Sequence, residues 1–84
     1  MPPVQVYTKS NCPYCVRAKN LLNQKGVAFE EINLDGRERE LSELRARTGM
    51  RTVPQIFIGD QLVGGYTELA ALESTGELDK LLLK

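Results

Sequence analysis

The chain contains no histidine. That removes the commonest metal ligand and the commonest general base, so any catalysis runs on cysteine, carboxylates or backbone dipoles. Tryptophan is absent as well. Neither sign of charge is in excess, because 11 Lys and Arg balance 11 Asp and Glu. A balanced chain lacks the basic footprint of nucleic-acid or membrane-surface binding, so neither partner is expected. Apolar runs such as Leu81-Leu82-Leu83 are far too short to cross a bilayer. The start, Met1-Pro2-Pro3-Val4-Gln5, has neither the charge nor the apolar stretch of a secretory signal, so the cytoplasm is the expected location. With 84 residues, the expectation is one small domain over residues 1–84. Such a domain buries only roughly 60–65% of its unfolded surface and has a thin core.

What is present is ordered. Residues 4–8, Val-Gln-Val-Tyr-Thr, alternate and are rich in β-branched and aromatic side chains, which predicts a strand. Residues 13–25 predict a helix: Cys15, Ala18 and Leu21 or Leu22 recur at helical spacing, and Gly26 follows as a stop. Residues 28–34 alternate again and predict a second strand. Asp35-Gly36-Arg37-Glu38 reads as a helix start, with Asp35 as cap and Glu38 completing a capping box. Leu41 and Leu44 give that helix a narrow apolar stripe, Gly49 ends it, and Glu43 and Arg47 sit four apart on a solvated face with weak pair support. Residues 55–58 and 61–63 flank Gly59-Asp60 as a β-hairpin, and Gly64-Gly65 breaks its second strand. Residues 67–73 and 77–83 predict two short helices, with Leu69 and Leu72 inward. The order is β-α-β-α-β-β-α-α. Its first half forms a right-handed parallel crossover, and the whole predicts an α/β fold with a mixed four-stranded sheet and helices on both faces.

The two cysteines sit at the junction of a strand and a helix, as Cys12-Pro13-Tyr14-Cys15. A thiolate, not a thiol, attacks a disulfide, and a free cysteine with a pKa near ~8.5 is only slightly ionised at neutral pH. The first turn of a helix has unpaired N–H groups and a partial positive charge of about half a unit. Cys12 stands there, and Lys9 adds positive charge three residues upstream. Cys15 lies one turn further in, expected to be more buried and less reactive. Residues at this spacing can reach the ~4.4–6.8 Å Cα separation of a disulfide. Pro13 has no N–H to waste in the first turn. These features assign Cys12 as nucleophile and Cys15 as resolving thiol. Three other readings compete: a structural disulfide, half of a zinc site, and two core cysteines. A cytoplasmic chain disfavours the first. The absence of a second Cys-x-x-Cys and of histidine leaves no self-contained zinc site, so no metal is expected.

Residues 7–15, Tyr-Thr-Lys-Ser-Asn-Cys-Pro-Tyr-Cys, resemble the active-site segment of dithiol glutaredoxins. Thr52-Val53-Pro54 and the residues after it resemble that family's Thr-Val-Pro segment. Gly64-Gly65-Tyr66-Thr67-Glu68 resembles its Gly-Gly loop and following helix start. The three motifs come in the family's order, and the short bacterial type is the most similar. The resemblance implies a thioredoxin-like fold, glutathione as cosubstrate and a cis peptide between Val53 and Pro54. It also implies a ligand site. Thr52 and Pro54 frame Val53, whose backbone pairs with the glutathione cysteine like an added strand. Gly65 and Tyr66 lead into the amides of Thr67 and Glu68, which hold the γ-glutamyl carboxylate. Lys9, with Gln55 or Arg51, meets the glycine carboxylate, and Tyr14 walls the groove. Tyr7 and Phe57 are assigned to packing. Many members carry two acidic residues where this chain has Thr67 and Glu68, so Thr67 implies weaker glutathione selectivity.

The activity so implied is reduction of protein–glutathione mixed disulfides through Cys12 alone, and of protein disulfides through Cys12 and Cys15. The partners implied are glutathione, glutathionylated or disulfide-containing proteins and, indirectly, glutathione reductase, with the chain acting as a monomer. Two alternatives remain. One is a redoxin served by thioredoxin reductase, against which stand the Thr52-Val53-Pro54 and Gly64-Gly65 segments. The other is a [2Fe–2S] carrier built from two chains and two glutathiones, which the stiff Pro13 disfavours.

Overall fold

The structure, a computed structural model, describes residues 2–83. Eight elements follow the expected order: β1 (Val4–Thr8), α1 (Pro13–Gln24), β2 (Glu30–Asn33), α2 (Glu38–Thr48), β3 (Gln55–Ile58), β4 (Gln61–Gly64), α3 (Tyr66–Thr75) and α4 (Glu77–Leu82). The sheet order is β2-β1-β3-β4. β1 pairs parallel with β2 and antiparallel with β3, and β3 pairs antiparallel with β4. The sheet is therefore mixed, with the parallel pair joined through α1.

Period-2 alternation sorts the side chains of β1 to two faces. Val4 and Val6 point to one face, where with Ile56 and Ile58 they meet Ala18 and Leu22 of α1, Leu69 of α3, and Leu78 and Leu82 of α4. Tyr7 points to the other, where with Ile32 and Phe57 it packs on Leu34, Leu41 and Leu44. The Tyr7 and Phe57 rings meet edge-on with centroids 5.9 Å apart. Helices thus cover both faces. Lys25, past the end of α1, binds Glu73 of α3 at 2.8 Å and Asp79 of α4 at 2.6 Å. No helix among the described residues is long and apolar enough to cross a membrane.

Four local expectations are corrected. β2 is shorter than residues 28–34, starting at Glu30, and Phe29 packs on the larger core from outside it. Asp35 does not cap α2. Gly36 takes a left-handed φ of 72°, the chain turns once more, and Arg37 becomes the cap residue without a side-chain bond. Asp35 is spent elsewhere: its Oδ1 accepts the Ser10 N–H at 3.0 Å. The helix α3 begins at Tyr66 rather than Thr67. Glu43 and Arg47 form no ion pair, because the Arg47 guanidinium lies 5.3 Å from the Phe57 ring centre.

Candidate active site

β1 ends at Thr8, which is buried with 1% of its surface exposed. The chain then turns through Ser10 and Asn11, the latter in the left-handed region with φ 57°. Asparagine tolerates that region better than most residues. This turn delivers Cys12 to the N-cap of α1, with Pro13 as first helical residue. A cap side chain normally offers an oxygen to the free amides of the first turn. Here the sulfur takes that place: the Cys15 N–H points to Cys12 Sγ at 3.1 Å. Cys12 and Cys15 are joined as a disulfide, with Cα atoms 5.2 Å apart. Cys12 is half-buried and reachable, whereas Cys15 is 1% exposed. On reduction, negative charge on Cys12 meets an amide already aimed at it and the positive end of the helix.

A second segment faces the pair. The Val53–Pro54 peptide is cis, as the resemblance implied. The Val53 carbonyl oxygen lies 3.7 Å from Cys12 Sγ. From there a groove of about 560 Å³ runs past Tyr14, Met50, Thr52, Val53 and Pro54 to Gly65, Tyr66, Thr67 and Glu68. Its far end is the N-terminus of α3. The first amide in that helix with a backbone partner is Leu69, which donates to Gly65 O at 3.1 Å, so the amides of Tyr66, Thr67 and Glu68 have no acceptor within the helix. The Gly65 N–H donates to Glu68 Oε1 at 2.7 Å. Gly64 has φ 121°, and a Cβ there would fall 2.8 Å from Glu68 Oε1, so glycine lets this carboxylate fold back over the cap. The Tyr14 and Tyr66 rings sit 6.2 Å apart on the groove wall, and Arg17 lies 5.1 Å from the Tyr14 ring centre.

The groove gathers Tyr14, Thr52, Val53, Pro54, Gly65, Tyr66, Thr67 and Glu68 beside Cys12. Lys9 does not line it. It lies by Asp35, whose carboxyl is held below the usual range by its bonds to Ser10 and then by the Lys9 charge. Arg51 faces another hollow, with Arg45, Ala46 and Gly49. Gln55 is 0% exposed with its carboxamide engaged by neighbouring groups, which removes it as a contact for a carboxylate. Met50 was missed by sequence reasoning, since no motif marks it. Asp35 was missed because its partner lies 25 residues away. Among the described residues, no three His, Cys, Asp or Glu side chains gather as a metal site.

A thioredoxin-like sheet, with a Cys-x-x-Cys disulfide at the first helix start and a cis-proline loop against it, defines a thiol–disulfide oxidoreductase. Comparison with known proteins narrows this. The Glutaredoxin family model matches residues 4–63. The chain is 55% identical over 82 residues to a glutaredoxin of Pseudomonas aeruginosa, covering 98% of each. It is 51% identical over 82 residues to glutaredoxin 3 of Escherichia coli strain K12, covering 98% of this chain and 99% of that one. Among solved structures, a buckwheat glutaredoxin–glutathione complex superposes with a TM-score of 0.93 at 34% identity, over 98% of this chain and 77% of that one. The chain belongs to the glutaredoxin family.

Proposed function

We propose that the groove binds glutathione and that the chain reduces protein–glutathione mixed disulfides and protein disulfides in the cytoplasm, as one domain over residues 1–84. The observation that carries this reading is the groove that runs from Val53, whose carbonyl lies 3.7 Å from Cys12 Sγ, to the free amides at the start of α3. That groove offers an extended tripeptide a strand-like backbone partner at its thiol and an anion site at its acidic end. The relative in complex with glutathione supports the same ligand.

In this reading Cys12 attacks the glutathione sulfur of a mixed disulfide. A new S–S bond forms, the old one breaks, and the substrate thiolate leaves and takes up a proton. A second glutathione thiolate then attacks the bound glutathione sulfur. Oxidised glutathione departs, and Cys12 returns as thiolate. With a protein disulfide, Cys12 forms the mixed bond and Cys15 displaces the substrate, leaving the Cys12–Cys15 bridge. Val53 aligns the glutathione cysteine, Thr52 and Pro54 hold that loop, and Tyr14 and Tyr66 wall the groove. Gly65 gives the helix start room, and the Thr67 and Glu68 amides take the γ-glutamyl carboxylate. Lys9 contributes positive charge near Cys12. Thr67 offers a neutral hydrogen bond where an acidic side chain would give a charge-assisted one, so Thr67→Asp is expected to tighten glutathione binding. Equal affinity in titration calorimetry would contradict that role.

The test is a coupled assay on a small glutathione mixed disulfide, run once with glutathione and glutathione reductase and once with thioredoxin reductase. Turnover with the first supports the reading. Turnover only with the second transfers the chain to the thioredoxin-reductase-served class.

A further inference from the structure

We propose that Gln55, supported by Thr48, is the positioning residue that aims the Val53 N–H into the groove. This deepens the glutathione reading and rests on it. Gln55 follows Pro54 and opens β3 with none of its surface exposed. A buried carboxamide must satisfy one acceptor and two donor positions or leave them unmade at a cost. All three find partners between the last residue of α2 and Thr52. Gln55 Nε2 donates to Met50 O at 3.1 Å and to Thr52 O at 3.1 Å. Gln55 Oε1 lies 2.9 Å from the Thr48 hydroxyl. That hydroxyl also lies 3.0 Å from Leu44 O, and its single proton serves one of the two at a time. Thr48 Oγ1 in turn accepts the Met50 N–H at 3.1 Å.

The consequence follows from peptide geometry. Thr52 C=O and Val53 N–H belong to the same peptide unit, which is planar, and in the trans form its N–H and C=O point in opposite directions. Gln55 draws Thr52 O toward the protein interior. The Val53 N–H is thereby turned outward, to the side that carries the ligand. The same side chain holds Met50 O, so the thioether of Met50 is set into the groove wall near Gly65. Without Gln55 the peptide between residues 52 and 53 is free to rotate, and the ligand must pay the ordering entropy at each binding event.

The role is separable from chemistry at Cys12. The Cys12 sulfur is held by the Cys15 amide on α1 at 3.1 Å, and this loop reaches it only through Val53 O at 3.7 Å. Gln55→Met keeps the length and apolar bulk and deletes all three hydrogen-bonding positions. Expected for it is a KM for a glutathionylated peptide raised roughly ten-fold, or about 1.4 kcal/mol. The kcat stays within about two-fold, the pattern of lost uniform binding. The rate of Cys12 alkylation by iodoacetamide, which needs no groove, is expected to match the parent. Thr48→Val is expected to raise KM by a smaller factor and Thr48→Ser to retain the parental value. A purely structural role would lower the melting temperature of these variants and leave KM where it was. That result in Thr48→Val overturns the inference even where Gln55→Met does not fold. Absence of turnover in the parent overturns the glutathione reading and this inference together. Parental turnover with unchanged KM in the folded variants overturns this inference alone.

Discussion

The two sulfurs differ by environment rather than by chemistry. Cys12 occupies the helix cap and is reachable, while Cys15 sits one turn in with 1% exposure. A thiol without a path to substrate cannot start an exchange, but it can finish one with a neighbour whose Cα lies 5.2 Å away. Single substitutions are therefore expected to be unequal. Cys12→Ser abolishes turnover of both a glutathionylated peptide and a protein disulfide. Cys15→Ser keeps the first and loses the second, because glutathione itself regenerates Cys12 on that route. Measuring both substrates with both variants checks the roles, and loss of deglutathionylation in Cys15→Ser would show them to be wrongly divided. These two residues were legible from sequence because spacing, a preceding strand and a following helix are local properties. Gln55 was not. A glutamine after proline carries no sign of whether it faces solvent, and only the returning 48–52 loop decides that it is buried.

Among the elements, the helices and strands followed their patterns, and the misread places lie at their ends. The Asp35 to Glu38 pattern has the residues of a capping box. It fails because Gly36 bends the chain left-handed before α2 starts and because Asp35 has a stronger use. Its Oδ1 binds the Ser10 amide at 3.0 Å, joining the loop after β2 to the loop that carries Cys12. The Asn33 side chain fixes this corner by accepting the Asp35 N–H at 2.8 Å. Such a tie is invisible in any window shorter than the 25 residues it spans. Its effect belongs to the loop rather than to global stability, since both groups are exposed and water can replace either. Asp35→Ala is expected to speed amide exchange at Ser10 and to lower kcat/KM a few-fold, with little change in melting temperature. Asp35→Asn, which keeps the acceptor, is expected to lie close to the parent. Unchanged Ser10 exchange in the alanine variant would remove Asp35 from any role in holding the turn. The parallel β1–β2 pair, the hairpin and both core faces were readable because alternation and helical spacing report burial directly.

At the scale of the molecule, the missing histidine returns as a statement about pH. Glu31 accepts the buried Thr8 hydroxyl at 2.8 Å and pairs with Lys19 at 3.1 Å, and these bonds, Thr8 first, lower its pKa from 4.5. A lowered carboxyl contributes stability that is present above its unfolded pKa and lost as pH falls through the folded one. Lys25, bonded to Asp79 and Glu73, has its pKa raised from 10.5, so its contribution is present below that value and is lost as pH rises through the folded one. Between these limits the oxidised protein has no histidine, the side chain whose ordinary pKa lies between about 5 and 8. Its melting temperature is expected to stay nearly level across that interval, to fall in acid with a shallower fall in Glu31→Gln, and to fall again in strong base. The reduced protein adds two thiols, Cys12 at the helix cap and the buried Cys15. A Cys12 thiolate favoured by the Cys15 amide and the helix start stabilises the fold more as pH rises toward the ordinary thiol value of about 8.5. Melting curves of the two redox forms from pH 5 to pH 9 therefore isolate the active-site charge against a silent background. The reduced form should gain on the oxidised form with rising pH, and Cys12→Ser should erase the gain. Parallel curves for the two forms would mean that the helix start does not favour the thiolate, and the assignment of Cys12 as the activated sulfur would fall.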